Sequence, residues 1–290
     1  MNFPIFELPA AEFPKGLWEI PQPPKSLRYR GTLPTPKMTL LSVVGSRHYT
    51  NYGKQAVEEL IGGLKGFNIG IVSGLALGID SLAHEAALKA GLYTLAIPGG
   101  GLDDSVIYPS RHLRLAHRIM EAGGGLLSEY ADYFQATTWS FPQRNRLVAG
   151  ISKATLLIEA AEKSGTLITA RLATDYNREL LVIPGSIFST NSRGTHQFLK
   201  LGATPVACSE DILEALNINI ENQAAPASPA LPLNLSREET LILSLLHEPT
   251  ERDALIRKSN LPAQEANVLL MKMEMSDLIA NDQNIYRRKI

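Results

Sequence analysis

The chain has 290 residues, 44% of them hydrophobic and 20% charged, and a formal net charge of −1. That balance suits a soluble globular protein with one large domain and one or two small ones. It excludes a broad electrostatic pull on nucleic acid, so any such binding needs a concentrated basic patch. No apolar run approaches the ~20 residues of a membrane span. The N-terminus, with Pro4 and Pro9, lacks the basic and apolar regions of a secretory signal. The single cysteine, Cys208, excludes an internal disulfide framework and a cysteine-rich zinc site, which fits a reducing cytoplasm.

Residues 1–38 are rich in proline, so regular structure is not expected to run far. Phe13, Leu17, Trp18, Ile20, Leu27 and Tyr29 give this arm apolar anchors on a main domain, 39–216. There the apolar run Leu40 to Val44 stops at Gly45-Ser46-Arg47, and Ile69 to Val72 stops at Ser73-Gly74. Apolar runs bounded by glycine read as strands buried on both faces. Helical spacing predicts Gln55 to Leu64 between them and Ile79 to Lys89 after them. Further strands are predicted at Tyr93 to Ile97, Leu126 to Ser128, Ala154 to Ile158, Leu180 to Ile183 and Pro205 to Ala207. Helices are predicted at Arg111 to Glu121, Thr166 to Tyr176, Thr195 to Leu201 and from Ser209 or Glu210 to Leu216. Alternation of this kind implies an α/β fold with a doubly wound, Rossmann-like, mostly parallel sheet.

Residues 217–235 are polar, Ala/Pro-rich and nearly uncharged, and read as a linker. Residues 236–290 read as a separate small unit. Ser236 and Glu239 form a capping-box pattern. Three helices followed by the hairpin Leu278 to Tyr286 make a winged-helix pattern. Its third helix has Lys272 opposed by Glu265 and Glu274, which favours protein contact or self-association over groove reading. Arg287, Arg288 and Lys289 are the candidate phosphate contacts of the wing.

The phosphate-binding signal is distributed over Gly45-Ser46-Arg47, Ser73-Gly74, Gly99-Gly100-Gly101 and Ser164-Gly165-Thr166. Taken singly, each reads as a tight strand-to-helix turn. Together, at the carboxyl edge of one sheet, they point to a ligand crevice. Arg47 adds a planar fork suited to phosphate oxygens. Lys163 lies beside the helix start at Thr166. Phe141-Pro142-Gln143-Arg144-Asn145-Arg146 is expected in a loop with Tyr130, Tyr133, Phe134 and Trp139. Aromatics offer stacking faces and arginines offer phosphate contacts; the plainer reading is a loop folded on the domain. Asp80 and His84 share a helix face and read as a helix-end hydrogen bond before a metal or acid–base pair. Glu159 reads either as a general base or as an orienting partner of Arg144 or Arg146. Metal-ligand spacing, nucleophile–base sets, a P-loop and a dinucleotide fingerprint are all missing, so no cofactor is implied.

The ordered set VVGSR…YG, IVSGLALGIDSLAHEAAL, IPGGGLD…YP, LLSEY, FPQRNRLVAG, LIEAAEKSGTLITA and VIPG…GTHQFLKLGA resembles the DNA processing protein A family, DprA or Smf. The likeness runs from about Phe13 to Leu216, and the terminal unit resembles that family's winged helix. The resemblance implies an extended Rossmann-like domain that binds single-stranded DNA, with no catalytic activity of its own. It implies a cytoplasmic homodimer that protects incoming single strands and loads the RecA recombinase in natural transformation. By position, Gly45, Ser46 and Arg47 would hold backbone phosphates. Ser73, Gly74, Gly100, Arg144, Asn145, Arg146 and Lys163, Ser164, Gly165, Thr166 would line the same pocket. Two other readings compete. One is a nucleotide N-glycosidic-bond hydrolase of the lysine-decarboxylase-like kind, although Leu102-Asp103 replaces the end of its PGGxGT motif. The other is a non-catalytic partner-binding scaffold.

Overall fold

The computed structural model describes residues 3–219, 235–276, 278–282 and 284–288. The chain divides into two compact units, Met1–Pro226 and Ala227–Ile290. Most of the expected linker, together with Lys289 of the expected wing contact, lies outside the described residues.

Unit 1 opens with two short strands, Ile5–Leu8 (β1) and Leu27–Gly31 (β2). Then strands and helices alternate: Thr39–Val44 (β3), Asn51–Gly62 (α1), Ile69–Ser73 (β4), Ile79–Ala90 (α2), Tyr93–Ala96 (β5), Leu113–Glu121 (α3) and Gly125–Ser128 (β6). Ser140–Ile151 (α4), Ala154–Leu157 (β7), Thr166–Asp175 (α5), Glu179–Val182 (β8), Arg193–Lys200 (α6), Thr204–Pro205 (β9) and Ser209–Ala215 (α7) complete it. The strand order is β1-β2-β6-β5-β4-β3-β7-β8-β9. Pairs from β6 through β9 are parallel, while β1–β2 and β2–β6 are antiparallel.

Strand β3 explains the sandwich. Leu40 and Val44 pack on one face with Val72, Leu95 and Leu157; Leu41 and Val43 pack on the other with Ile71 and Leu156. Successive side chains point to opposite faces, so an apolar run fills both. Helices α4 and α5 cover the first face through Leu147, Val148, Leu167 and Ala170. Helices α1, α2 and α7 cover the second through Val57, Ile61, Ala83 and Ile212. A third cluster joins Leu115, Ile119 and Met120 of α3 to Ala96 and Leu126. Covering both faces is what a parallel sheet requires.

The proline-rich arm adds two short strands to the sheet. It supplies β1 and β2, and β2 pairs Arg28 with Ser128 and Tyr29 with Leu127. The segment LRYRG contains no proline, so every residue of it can join a ladder. Between the two strands, Phe13, Leu17 and Ile20 are buried. Trp18 stacks on Phe13 with centroids 5.5 Å apart. Arg178 fastens the arm, donating from Nη2 to the carbonyls of Gly16 at 3.0 Å and Gly150 at 3.1 Å, and pairing with Glu19 at 2.8 Å.

Unit 2 comprises Arg237–Leu245 (α8), Thr250–Glu251 (β10), Arg252–Ser259 (α9), Ala263–Met275 (α10), Ile279–Asp282 (β11) and Ile285–Arg288 (β12). Its sheet runs β10-β12-β11. Three helices and a hairpin form a winged helix. The capping box is in place: the Ser236 amide donates to Glu239 Oε2 at 2.8 Å, and the Glu239 amide donates to Ser236 Oγ at 3.1 Å. Among the described residues no helix is long and apolar enough to cross a membrane.

One buried titratable group ties the stability of unit 1 to pH. His84 is fully buried, with Nδ1 2.7 Å from Thr94 Oγ1. Burial, then His112 and Arg144, push its pKa down to about 3 from the ordinary 6.5. Below the ordinary value the unfolded chain takes up a proton that the folded chain refuses until about 3, so stability falls with pH across that window. The slope approaches ~1.4 kcal/mol per pH unit. Both tryptophans, Trp18 and Trp139, lie in unit 1, so urea unfolding followed by tryptophan fluorescence reads this unit. A His84→Asn variant is expected to lose less stability than the parent between about pH 6.5 and 4.5. Parallel pH profiles for the two proteins would refute the assignment.

Candidate functional site

Strands β3 and β7 are neighbours, yet the chain steps outward from them in opposite directions, β3 to β4 to β5 and β7 to β8 to β9. That is the switch point of an open α/β sheet, and ligands bind beyond the carboxyl ends of its strands.

The turn Gly45-Ser46-Arg47 stands there, tied to two helix starts. Thr166 Oγ1, at the start of α5, donates to the Gly45 carbonyl at 2.8 Å. The Ile79 amide, at the start of α2, donates to the Ser46 carbonyl at 3.1 Å. Ser46 Oγ donates to the His48 carbonyl at 2.9 Å and accepts from the His48 amide at 3.0 Å. The packing leaves no room for side chains. A Cβ on Gly45 would lie 2.6 Å from Ile79 Cγ1, and one on Gly78, whose φ is +85°, would lie 2.3 Å from the Ser46 carbonyl oxygen. Arg47 points into solvent. Its guanidinium carbon lies 5.6 Å from the Phe141 ring centroid, within cation–π range. Among the described residues no carboxylate pairs with it. Lys163 and Gly165 are exposed beside the same turn, Ser164 and Thr166 are half-buried, and the Thr166 amide donates to Ser164 Oγ at 3.3 Å.

The next strand end is built from buried charge. The Gly74 amide donates to Asp80 Oδ2 at 3.1 Å, and its carbonyl accepts from Arg144 Nη1 at 2.6 Å. A Cβ on Gly74 would lie 2.6 Å from both of these side chains. Arg144 is 4% exposed and also donates to the Ile97 carbonyl, from α4 to the end of β5. Its Nε donates to Asn145 Oδ1 at 3.2 Å. Burial pushes the Asp80 carboxyl up despite Arg144 and the amides of Ala76 and Gly74. Burial also lowers Arg144, which stays protonated.

The structure gives several expected ligand groups other partners. Ser73 Oγ is buried and donates to the Val43 carbonyl at 2.7 Å. The Gly100 carbonyl accepts from Ser128 Oγ at 2.7 Å. Arg146, 7% exposed, pairs with Glu129. Burial pushes Glu129 up, with Arg146 opposing. Glu159 caps α1, accepting from the Thr50 amide at 2.9 Å and from Thr50 Oγ1 at 2.5 Å. It therefore orients neither Arg144 nor Arg146, and its oxygens are committed to a helix start rather than free as a base. Asp80 and His84 do not bond each other, and Glu85 pairs with Arg118 at 2.6 Å. Among the described residues no group of His, Cys, Asp and Glu could hold a metal ion.

A correction concerns 141–146. These residues are the first half of α4, not a loop. Pro142 sits in the first helical turn, where its missing N–H costs nothing and its fixed φ suits a helix. The aromatic composition concealed this, while the following Leu147, Val148 and Ile151 carried the helical spacing. The helix start lies against the glycine loop, with Ser140 Oγ donating to the Gly99 carbonyl at 2.6 Å. Phe141 is thereby brought between Arg47 and Tyr108, whose ring centroid is 5.6 Å away. Tyr108 was not expected at the site; its signal is an aromatic just before Pro109 in the loop after β5. Tyr130 and Phe134 stack at 4.5 Å, and Trp139 meets both edge-on.

The residues 5–217 match the model of the DNA recombination-mediator protein A family. The chain belongs to that family. Residues 224–282 match the DprA winged helix domain. Protein Smf of Escherichia coli is 35% identical over 89% of this chain and 70% of its own length. DNA processing protein DprA of Streptococcus pneumoniae is 40% identical over 73% and 74%. The crystal structure of the pneumococcal protein superposes with a TM-score of 0.67, at 39% identity and covering 74% of each chain. DNA processing protein A from Helicobacter pylori, described for its single-stranded DNA binding mode, superposes at 0.65 with 31% identity over 74% of this chain and 97% of that one.

Buried and exposed arginines of this site respond differently to removal. Arg144→Ala leaves the buried Asp80 without its counter-charge and the carbonyls of Gly74 and Ile97 without their donor, and is expected to cost about 3–5 kcal/mol. Arg47→Ala removes a solvated side chain and is expected to cost less than about 0.5 kcal/mol. Urea midpoints of the two variants, read by tryptophan fluorescence, check the contrast; equal midpoints would contradict this division between scaffold and free arginine.

Proposed function

We propose that this protein binds single-stranded DNA in the crevice at β3 and β7 as a non-catalytic recombination mediator. The observation that carries the reading is the free Arg47 guanidinium, set over Phe141 beside two helix starts. Backbone amides and helix ends supply partial positive charge, and Arg47 and Lys163 supply full charges. Phe141, Tyr108 and Trp139 supply faces on which bases stack, a mode that tolerates any sequence. A narrow pocket of this kind needs no broadly basic surface, which reconciles DNA binding with a net charge of −1. In this proposal Gly45, Ser46, Arg47, Asn145, Lys163, Ser164, Gly165 and Thr166 face the strand. Ser73, Gly74, Gly100, Arg144 and Arg146 shape the crevice from beneath.

Membership in a recombination-mediator family supports a cytoplasmic role in which the bound strand is protected and handed to RecA during transformation. A homodimer is supported by apolar surface on unit 1, where Ile187 is 76%, Phe188 91% and Leu201 80% exposed. The winged helix fits a protein-contact role. Its α10 exposes Val268, Met271 and Met275, while Lys272 is held by Glu239 at 3.0 Å.

Fluorescence anisotropy with labelled oligo-dT and a matched duplex tests the reading. Preference for the single strand, weakened by salt, is expected, with affinity at least about tenfold lower in Arg47→Ala. Wild-type affinity in that variant would remove the strand from the crevice.

A further inference from the structure

A run of arginines leaves the crevice along α3. A short turn, Ser110–His112, leads into that helix and is pinned to the loop after β4 by His112 Nδ1, 2.8 Å from the Leu75 carbonyl. Just before it stands Tyr108, 54% exposed, with its ring 5.6 Å from Phe141, the ring beneath Arg47. Arg111 lies in that turn, and Arg114 and Arg118, three and seven residues on, lie on the exposed face of α3, with Leu115, Ala116, Ile119 and Met120 buried on the other. All three arginines are exposed. Neighbouring acids are already engaged or stand beyond the run. Glu85 pairs with Arg118 at 2.6 Å, Asp104 takes Arg30 and His117, and Glu121 lies at the far end of the helix. Among the described residues Arg111 and Arg114 have no carboxylate partner. Residues so spaced on a helix lie about 5–6 Å apart, a separation that serves successive phosphates of one strand.

We propose that α3 is a second contact surface for the single strand, with Arg111 and Arg114 binding the phosphates of nucleotides that leave the crevice past Tyr108. This rests on the placement of the strand in the crevice. The track ends at Arg118, whose charge Glu85 takes up. The surface is selective for an extended strand because Tyr108 and Phe141 offer ring faces where it begins, and the arginines carry no groove-reading geometry.

The test uses the full chain and two lengths of oligo-dT, about 6 and about 20 nucleotides, within and beyond the usual site sizes. Binding is measured across a salt series for wild type, Arg111→Ala/Arg114→Ala, Arg118→Ala and Arg47→Ala. On the long strand, the double variant is expected to flatten the slope of log K against log salt by about 1.4, or about 0.7 per lost phosphate contact. Its affinity for the short strand stays at the wild-type value, and Arg118→Ala matches wild type on both. An unchanged slope in the double variant, with Arg47→Ala still defective, overturns the α3 surface and leaves the crevice standing. An equal loss from Arg118→Ala overturns it too, since net charge alone would then account for the effect. Wild-type binding by Arg47→Ala overturns the crevice reading itself, and the extension falls with it.

Discussion

Two buried charges meeting across the Gly74 turn organise the functional end of unit 1. Asp80 takes the amides of Gly74 and Ala76, and Arg144 takes the carbonyls of Gly74 and Ile97. Between them they fix the end of β4, the end of β5, the entry to α2 and the first turns of α4. Neither charge would be tolerated alone in the interior, because desolvation of an unpaired ion far exceeds what one hydrogen bond returns. Their joint presence requires a turn with no side chain, which Gly74 supplies.

That arrangement divides labour among the arginines. Arg144 and Arg146 are committed to buried partners, so they shape the crevice and hold α4 across the strand ends. Arg47 is left free, and the placement of α4 sets Phe141 beneath it. The same logic applies to acids. Glu159 sits at the switch point, where an anion is favoured, but it is spent on Thr50 and the start of α1. The start of α5 and the exposed Arg47 and Lys163 are then the positive groups at this end that, among the described residues, no carboxylate occupies.

The N-terminal arm has a comparable architectural role. By adding β2 antiparallel to β6, and β1 antiparallel to β2, it covers what would otherwise be a bare parallel edge. Arg30 donates to the Leu102 carbonyl at 3.1 Å and pairs with Asp104, tying the arm to the loop that leads from β5 toward Tyr108. The arm thus braces the segment that carries the outer aromatic of the site.

Much of this was legible in the residues themselves. Apolar runs closed by glycine marked β3 and β4, and the alternation of periods marked a doubly wound sheet. Ser236 with Glu239 marked the first helix of the winged unit. These are local signals, set by backbone sterics, side-chain period and capping within a few residues. What the residues alone left open was which polar groups are free. An arginine at position 47 and one at position 144 look alike in a string of letters, as do the glutamates at 129 and 159. Which arginine is solvated, and which group each glutamate holds, depends on partners distant in the chain: Gly74, 70 positions from Arg144, and Thr50, 109 positions from Glu159. The glycine loops, the crevice and its residue types were thus written in the sequence. The division of the charges into buried and exposed was decided only by packing, because burial and pairing are properties of the folded neighbourhood and not of the residue.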